Sequence, residues 1–510
     1  MLLYALTLAF IVLALLAVSL TRLGKVHTRA DYLVAGRSLP AFVLVFTLLS
    51  SWIGSGSLLG GAENAYRHGF AALWQAAGGW AGLALIYFIA PRARRFAQFT
   101  IPDLLEARYN QAARVLGVIA ILFTYTAITS YQFIGGGDIL HLIFPASISA
   151  IQGRCLIAAF VILFTAIAGM SSVAYMDVAI GLLATFTLLL ALPTLVHNTG
   201  GWAAIHAALP ATHFQFLGDL TFIQALELFL PTCLLMLGNQ SMYQKFFSAR
   251  SERDATRAVT GWIVGTVVLE TVIVALAVAG SAAYPTGEVH DHPREILAYA
   301  GLRALQPAPT ITEKDYAGPN GEIIRVLTST QRTDPTHILP LLGALLVGAI
   351  FAKIISTANN YLFSPATNLV NDLFVRYLRP AASNKQVLLV SRAMVVLLGL
   401  WALYQGLHTE SVLKKSLYAY TIYSAALTPV ILAAFYWKRA TASAAVASIF
   451  TGTFVTVFWD SAFVHHHLPQ IISERDAIFP ALLASLACLI LVSLFTRPPD
   501  AAHLAALAES

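Results

Sequence analysis

The stretch that decides the fold is Ser50-Ser51-Trp52-Ile53-Gly54-Ser55-Gly56-Ser57, which lies inside an apolar segment long enough to cross a membrane. Glycine and serine at this density interrupt a helix, because glycine loosens the backbone and serine competes for its hydrogen bonds. A similar stretch, Gly238-Asn239-Gln240-Ser241, falls in the seventh apolar segment. Broken helices in corresponding positions of two halves indicate a binding site at the membrane midplane. The alternative is that these small residues only let helices pack closely.

The composition of the chain is that of a polytopic membrane protein. Its 510 residues are 58% hydrophobic and 11% charged, with a mean hydropathy of +0.73. Apolar runs of about 20 residues cross a bilayer as helices, because a helix satisfies its own backbone hydrogen bonds. Thirteen spans are predicted, at residues 1–21, 40–67, 70–90, 114–144, 153–172, 177–197, 222–243, 259–284, 337–370, 388–406, 412–436, 443–460 and 478–495.

The basic residues predict how the chain is oriented in the bilayer. Twenty Lys and Arg residues fall in one set of loops, among them Arg114 and Lys245, and ten fall in the other set. We expect a multi-pass protein of the cell (inner) membrane. Because cytoplasmic loops carry the excess of positive charge, its amino terminus should lie outside and its carboxyl terminus in the cytoplasm. Because this charge is spread over membrane-flanking loops, the net charge of +6 does not indicate a nucleic-acid partner.

The predicted organisation is a single membrane domain, 1–510, of the all-α class. Residues 1–39 form a flanking helix and loop, 40–197 and 222–436 form two inverted repeats, and 437–510 hold two more helices and a short tail. The second repeat carries an outer loop at 285–336, in which Pro319-Asn320-Gly321 is typical of a hairpin turn. From the short tail after the last span, we expect no output domain.

Lys353 is the most unusual residue in the chain, because it lies about midway along the ninth predicted span. We expect every other Lys or Arg in a loop or near a span end. An ammonium group inside a bilayer costs several kcal/mol, so such lysines face a protein interior or an aqueous path. Ser356 and Thr357 follow on the same helical face.

Several motifs together resemble the sodium/solute symporter family, whose members include proline, sugar, sialic acid, pantothenate and choline transporters. They are Asp31-Tyr32-Leu33-Val34-Ala35-Gly36-Arg37, Ser51-Trp52-Ile53-Gly54-Ser55-Gly56, Gly169-Met170-Ser171-Ser172-Val173-Ala174-Tyr175-Met176-Asp177, Gln244-Lys245 with Ser248-Ala249-Arg250-Ser251, Ile355-Ser356-Thr357-Ala358, Thr367-Asn368-Leu369-Val370-Asn371-Asp372 and Trp437-Lys438-Arg439-Ala440-Thr441. The resemblance covers most of the chain. It implies a five-plus-five inverted-repeat core with extra flanking helices and alternating-access transport.

The resemblance also implies where coupling ions bind. The main sodium site of the family falls on the backbone carbonyls of Ser50, Ile53 and Lys353 and on the hydroxyls of Ser356 and Thr357. The positions of a second sodium site, which some members possess, are Asp177, Ser356, Asn359 and Asn360. No other metal and no enzymatic cofactor is expected, and the coupling ion is Na⁺ or H⁺.

This chain departs from the family at two of these positions. Position 353 is usually a small residue and position 359 is often Asp, so a cation is gained and a carboxylate lost. We therefore hypothesise that Lys353 replaces the coupling sodium, which would make transport proton-coupled or sodium-independent. The alternative is an ordinary sodium-coupled symporter, in which Lys353 forms a structural ion pair with Asp177 or another acid.

The residues beside the breaks predict the substrate site. We expect the solute to contact a polar, uncharged set with one indole: Trp52, Gly54, Ser57, Gln75, Gln132 and Asn239. These groups suit a small polar solute, such as an amino acid, sugar, carboxylate or amine. The lipid bilayer is the other partner, and a monomer is expected. An intramembrane enzyme would need converging catalytic groups, which the sequence lacks, and a transporter-like receptor or sensor is the remaining alternative class.

Overall fold

The computed structural model of the chain describes residues 2–23, 34–90, 100–167, 170–285, 288–303, 309–317, 323–331, 338–409, 411–459, 461–473 and 475–500. In this part of the chain, eleven helices are long and apolar enough to cross a membrane, and two shorter apolar helices bring the number of segments to the thirteen predicted. Of the sequence motifs, Asp31-Tyr32-Leu33 and Gly169 lie outside the described residues. The expected all-α membrane architecture is confirmed.

The described residues up to Ala208 form nine α-helices. They are α1 (Leu2–Leu23), α2 (Ala41–Trp52), α3 (Ala62–His68), α4 (Leu73–Ile86), α5 (Ile101–Arg108), α6 (Gln111–Ile143), α7 (Ala150–Ile167), α8 (Met170–Asn198) and α9 (Gly201–Ala208).

From Phe222 onwards, the described residues form thirteen more. They are α10 (Phe222–Gly238), α11 (Gln240–Ser248), α12 (Glu252–Ala283), α13 (Glu288–Asp291), α14 (Ile296–Arg303), α15 (Pro340–Asn368), α16 (Asn384–Leu407), α17 (Val412–Ala426), α18 (Thr428–Tyr436), α19 (Ala442–Trp459), α20 (Ala462–His467), α21 (Gln470–Ser473) and α22 (Ile478–Phe495).

The first predicted break lies between α2 and α3. Helix α2 ends at Trp52, because Ile53 takes extended backbone angles, and a π-helical turn at Gly56–Gly61 then leads into α3. The side chain of Gln132 on α6 accepts a hydrogen bond from the backbone N–H of Ser55 at 2.8 Å. Since a lipid environment offers no water to freed backbone groups, this amide stabilises the break from a neighbouring helix.

The second predicted break separates α10 from α11 at Asn239, whose backbone is also extended. The Asn239 side chain accepts a hydrogen bond from the backbone N–H of Ser241 at 3.0 Å, which makes it the N-cap of α11. Asparagine is among the best residues for this role, because its side-chain oxygen satisfies an otherwise unpaired amide. Both interruptions predicted from the sequence are therefore present as helix breaks.

Helix α15 is the central helix of the bundle. Of the most apolar 18 residues in its membrane span, 83% are buried, which is a larger share than in the other candidate spans of the described residues. It packs against α1, α2, α6, α7, α8, α11, α14 and α16, and it continues into a π-helical segment, Leu369–Leu378. Gly54 lets the first break approach α15: a Cβ atom at this position would lie 2.6 Å from the Thr357 hydroxyl. The break and the lysine-bearing helix thus meet directly.

The outer loop contains the predicted hairpin. Strands β1 (Pro309–Ala317) and β2 (Ile323–Gln331) pair antiparallel, with Ala317 opposite Ile323. The Pro319-Asn320-Gly321 turn predicted to join them lies outside the described residues.

Candidate functional site

A cluster of four oxygen atoms lies where the first break meets α15. The hydroxyl of Thr357 is 2.9 Å from the carbonyl oxygen of Ser50, 3.0 Å from that of Lys353 and 3.4 Å from that of Ile53. One hydroxyl carries one proton and can donate it to a single acceptor. The remaining lone pairs therefore make this a strongly electronegative point, suited to a cation.

Lys353 places its ammonium group beside this cluster. The side chain is 1% exposed, and Nζ donates a hydrogen bond to the hydroxyl of Ser50 at 3.2 Å. Ser50 thus contacts the lysine through its side chain and Thr357 through its carbonyl oxygen. The ammonium group faces the first break and not lipid, as expected from its position on the helix.

Asp177 on α8 ties the same region together. Its carboxylate accepts hydrogen bonds from the hydroxyls of Ser356 and Thr47, both at 2.5 Å, and from the Asn360 amide at 3.2 Å. Its backbone carbonyl accepts a further bond from Ser50 Oγ at 3.1 Å. Asp177 is therefore joined to the first broken helix and to α15, and it is fully buried.

Lys353 and Asp177 do not form a direct ion pair. Across the described ranges, no carboxylate lies within 4.0 Å of Lys353 Nζ. The two residues are linked through Ser50, whose hydroxyl accepts from the lysine and donates to the Asp177 carbonyl.

The structure corrects the prediction that Lys245 lies in a basic loop. This lysine is 1% exposed within α11, and Nζ donates to the Asn360 side-chain oxygen at 3.0 Å and to the Ser241 hydroxyl at 3.2 Å. Helix α11 continues past the second break to Ser248, and all nine of its residues are buried. Lys245 is one of the site residues that the sequence alone did not indicate, as are Thr47, Glu270 and Tyr420. The signal for Lys245 was its position only six residues after the break.

Asn359 takes a different position from the other predicted ion-site residues. Its side-chain oxygen accepts a hydrogen bond from the hydroxyl of Thr165 on α7 at 2.8 Å. Asn360, one residue later, points to Asp177 instead. The structure therefore groups Asp177, Ser356 and Asn360, and it places Asn359 on the side of α15 that faces α7.

Three of the predicted substrate residues line one cavity. Trp52, Ser57 and Gln75 surround it together with Glu270 on α12 and Tyr420 on α17. Its free volume of about 20 Å³ admits a single water-sized group.

The other three predicted substrate residues lie elsewhere. Gly54 faces Thr357, Gln132 binds the backbone of the first break, and Asn239 caps α11 while its side chain also contacts Tyr125 at 2.7 Å and Tyr361 at 2.9 Å.

A membrane bundle with two broken helices, and with polar groups gathered at the breaks, is the architecture of a secondary transporter. The comparisons with known proteins give the family. The chain matches the sodium:solute symporter family over residues 32–304 and 331–452, which is more than half of its length, and it belongs to that family.

Relatives and solved structures agree with this assignment. A sodium/proline symporter of Staphylococcus aureus is 24% identical over 512 aligned residues, which cover 96% of this chain and 92% of the relative. A Na⁺-coupled sialic acid symporter, solved in a substrate-bound outward-open state, superposes with a TM-score of 0.76 at 16% identity and covers 98% of this chain and 99% of its own.

The fold is shared beyond the family. MHP1, a nucleobase-cation-symport-1 family transporter, superposes with a TM-score of 0.57 at 10% identity, covering 94% of this chain and 98% of its own. The chain is thus a multi-pass transporter of the cell membrane with the five-plus-five inverted-repeat core, and it is not an enzyme.

Proposed function

We propose that this symporter moves a small polar solute by alternating access, with the ammonium group of Lys353 in place of the coupling sodium. The observation that carries the proposal is the hydrogen bond of 3.2 Å from Lys353 Nζ to Ser50, the residue whose carbonyl belongs to the oxygen cluster at Thr357. A positive charge is then built into the region where relatives of this family would hold sodium. Transport would be proton-coupled or independent of sodium.

Repulsion between a sodium ion and the Lys353 ammonium group would lower the affinity of the site for sodium. Two unit positive charges 4 Å apart repel by about 4 kcal/mol at an effective dielectric of about 20, which corresponds to roughly a thousandfold loss of sodium affinity. Because Lys353 is buried, water screens this repulsion little. Sodium and a protonated Lys353 therefore compete for the same oxygen cluster.

The position of Asp177 also supports replacement over a fixed ion pair. Its carboxylate already accepts three hydrogen bonds, from Thr47, Ser356 and Asn360, and none comes from Lys353. An unpaired ammonium group is better placed to take the role of an ion than one held in a salt bridge.

The alternative is an ordinary sodium-coupled symporter, and the comparisons favour it on one point. The similar proteins are named sodium/proline symporter and Na⁺-coupled sialic acid symporter. In that case sodium would bind the carbonyls of Ser50, Ile53 and Lys353 despite the nearby ammonium group. The same names make proline and sialic acid the first solutes to test.

The orientation belongs to the proposal as well. We infer an amino terminus outside and a carboxyl terminus in the cytoplasm from the excess of Lys and Arg in one set of loops. Cysteine labelling at either end, with a membrane-impermeant reagent, tests it.

Uptake into liposomes tests the transport proposal. The purified chain is reconstituted, and uptake of proline, sialic acid and choline is measured in potassium, with an inward sodium gradient and with an inward proton gradient. We expect saturable uptake of one solute that sodium does not stimulate, with or without stimulation by protons. Uptake that requires sodium in the wild type would contradict the role of Lys353. Lys353→Met serves as the matched variant, because methionine has a side chain of similar length without the charge.

A further inference from the structure

A second buried carboxylate, Glu270, faces the cavity that Trp52, Ser57 and Gln75 line. Glu270 lies on α12 and is 5% exposed. Its Oε1 accepts a hydrogen bond from the Trp52 indole at 2.8 Å and one from Ser57 at 3.4 Å, and its Oε2 accepts one from the Trp80 indole at 2.9 Å. This carboxylate is thus hydrogen-bonded by side chains from α2, from α4 and from the π-turn of the first break.

The donors to Glu270 are neutral, so they stabilise its charge without cancelling it. In the part of the chain that the structure describes, no Lys, Arg or His lies within 4.0 Å of its oxygens. Two carboxylate oxygens offer about four acceptor positions, and three are used. A buried carboxylate without a cation is costly inside a membrane protein, and such residues mark sites of function.

The rest of the cavity wall is suited to binding a cation. Trp52 and Tyr420 stack with ring centroids 6.0 Å apart, and Ile273 and Val274 add apolar surface. Aromatic faces attract ammonium groups, and apolar walls accept the carbon atoms attached to them. The free volume of about 20 Å³ matches one ammonium-sized group, so a larger cation requires a more open state of the transporter.

We propose that Glu270 binds the ammonium group of a small organic cation, and that this cation is the transported solute. The proposal rests on the proposed transport function and names its substrate class. Glu270 forms a charge-assisted hydrogen bond to the ammonium group, which also meets the aromatic faces of Trp52 and Tyr420. The apolar walls contact the carbon atoms of the solute. Solutes that carry only a negative charge are repelled from the cavity by the same carboxylate.

Matched pairs of ligands test the charge requirement directly. Thermal stabilisation of the purified full-length chain is measured with ethanolamine against ethylene glycol, and with choline against its neutral analogue in which carbon replaces the nitrogen. We expect each cation to stabilise the protein in a saturable way and each neutral partner to have no effect. Equal effects within both pairs, or no stabilisation by either cation, would overturn the proposal.

Variants at position 270 assign the effect to this carboxylate. Glu270→Gln keeps the shape and should weaken cation binding at least about tenfold, since a charge-assisted bond is lost. Glu270→Asp keeps the charge and should still prefer each cation over its neutral partner. Cation binding by this variant would show that a substitution at position 270 does not by itself unfold the site. Glu227→Gln, in another span, is the control and should bind like the wild type. Unchanged cation affinity in Glu270→Gln would refute the assignment.

The binding measurements are repeated in potassium and in sodium buffer. This comparison distinguishes a failure of the substrate class proposed here from a failure of the proposal that Lys353 replaces sodium. Cation binding that needs both sodium and Glu270 would support the substrate class and contradict sodium replacement. If neither cation binds in either salt, the substrate class fails, while the role of Lys353 is still decided by sodium binding.

Discussion

The ammonium group of Lys245 and the carboxylate of Asp177 are joined by one side chain, that of Asn360. Its oxygen accepts from Lys245 Nζ at 3.0 Å, and its amide donates to Asp177 Oδ2 at 3.2 Å. The second broken helix, α15 and α8 are thereby connected through buried polar groups. Lys353 reaches the same aspartate through Ser50.

Removing the charge of Lys245 should destabilise the protein. Lys245→Met leaves the buried Asp177 with one fewer compensating cation, and we expect a loss of about 3 kcal/mol, typical of breaking one side of a buried charge network. Asp177→Asn in the same chain should recover part of that loss, because the uncompensated charge is gone. Thermal unfolding of the two single variants and the double variant measures this. Strictly additive effects would show that the two residues are not coupled.

The close contact of Gly54 with α15 predicts that a methyl group is not tolerated there. In Gly54→Ala, the new Cβ would lie 2.6–2.8 Å from atoms of Thr357, and overpacking of this kind costs about 1–3 kcal/mol. Gly61→Ala is the control, since its Cβ would meet nothing nearer than 3.7 Å. Melting temperatures of both variants test the contact, and equal stability would mean that the first break does not approach α15 as described.

Arg114 should contribute far more to stability than the neighbouring Arg376. Arg114 lies in the first turn of α6 and, although predicted in a loop, is 4% exposed and pairs with Asp103, Glu106 and the buried Asp372. Arg114→Gln should cost about 3–5 kcal/mol, because Asp372 is left unpaired. Arg376 is 56% exposed and pairs with Glu106 at 3.0 Å, so Arg376→Gln should cost about 1 kcal/mol or less. Similar losses of thermal stability in both would refute this ranking.

Asn239 should matter mainly as a helix cap. Asn239→Ala removes the bond to the Ser241 amide and is expected to cost about 1–2 kcal/mol, whereas Asn239→Ser keeps a capping oxygen and should cost less. Solute affinity and unfolding are measured on both variants. If both lose solute affinity equally while stability is unchanged, Asn239 is a substrate ligand, as the sequence pattern suggested.

The sequence was sufficient for features that depend on local composition. The Gly and Ser residues at 50–57 and the run 238–241 predicted both breaks, because those residues weaken a helix wherever it lies. The three-to-four-residue spacing of Lys353, Ser356 and Thr357 predicted that they share a face. Pro319-Asn320-Gly321 predicted the hairpin that β1 and β2 form.

Features that depend on which helices become neighbours could not be predicted. Glu270 and Trp80 are 190 residues apart in sequence, and nothing local indicates that an indole meets that carboxylate. Gln132 and Asn239 look like solute ligands until the backbone amides they satisfy are known. Lys245 resembles a loop lysine because its helix is short and polar, and only its packing against α15 shows that it is buried.

Binding of radioactive sodium to the purified protein, without any solute, tests the central claim most directly. We predict no saturable binding by the wild type, saturable binding by Lys353→Ala, and loss of that binding when Thr357→Ala removes one oxygen of the cluster. Saturable sodium binding by the wild type that Thr357→Ala abolishes would contradict the account, because sodium would then occupy the cluster beside a charged Lys353.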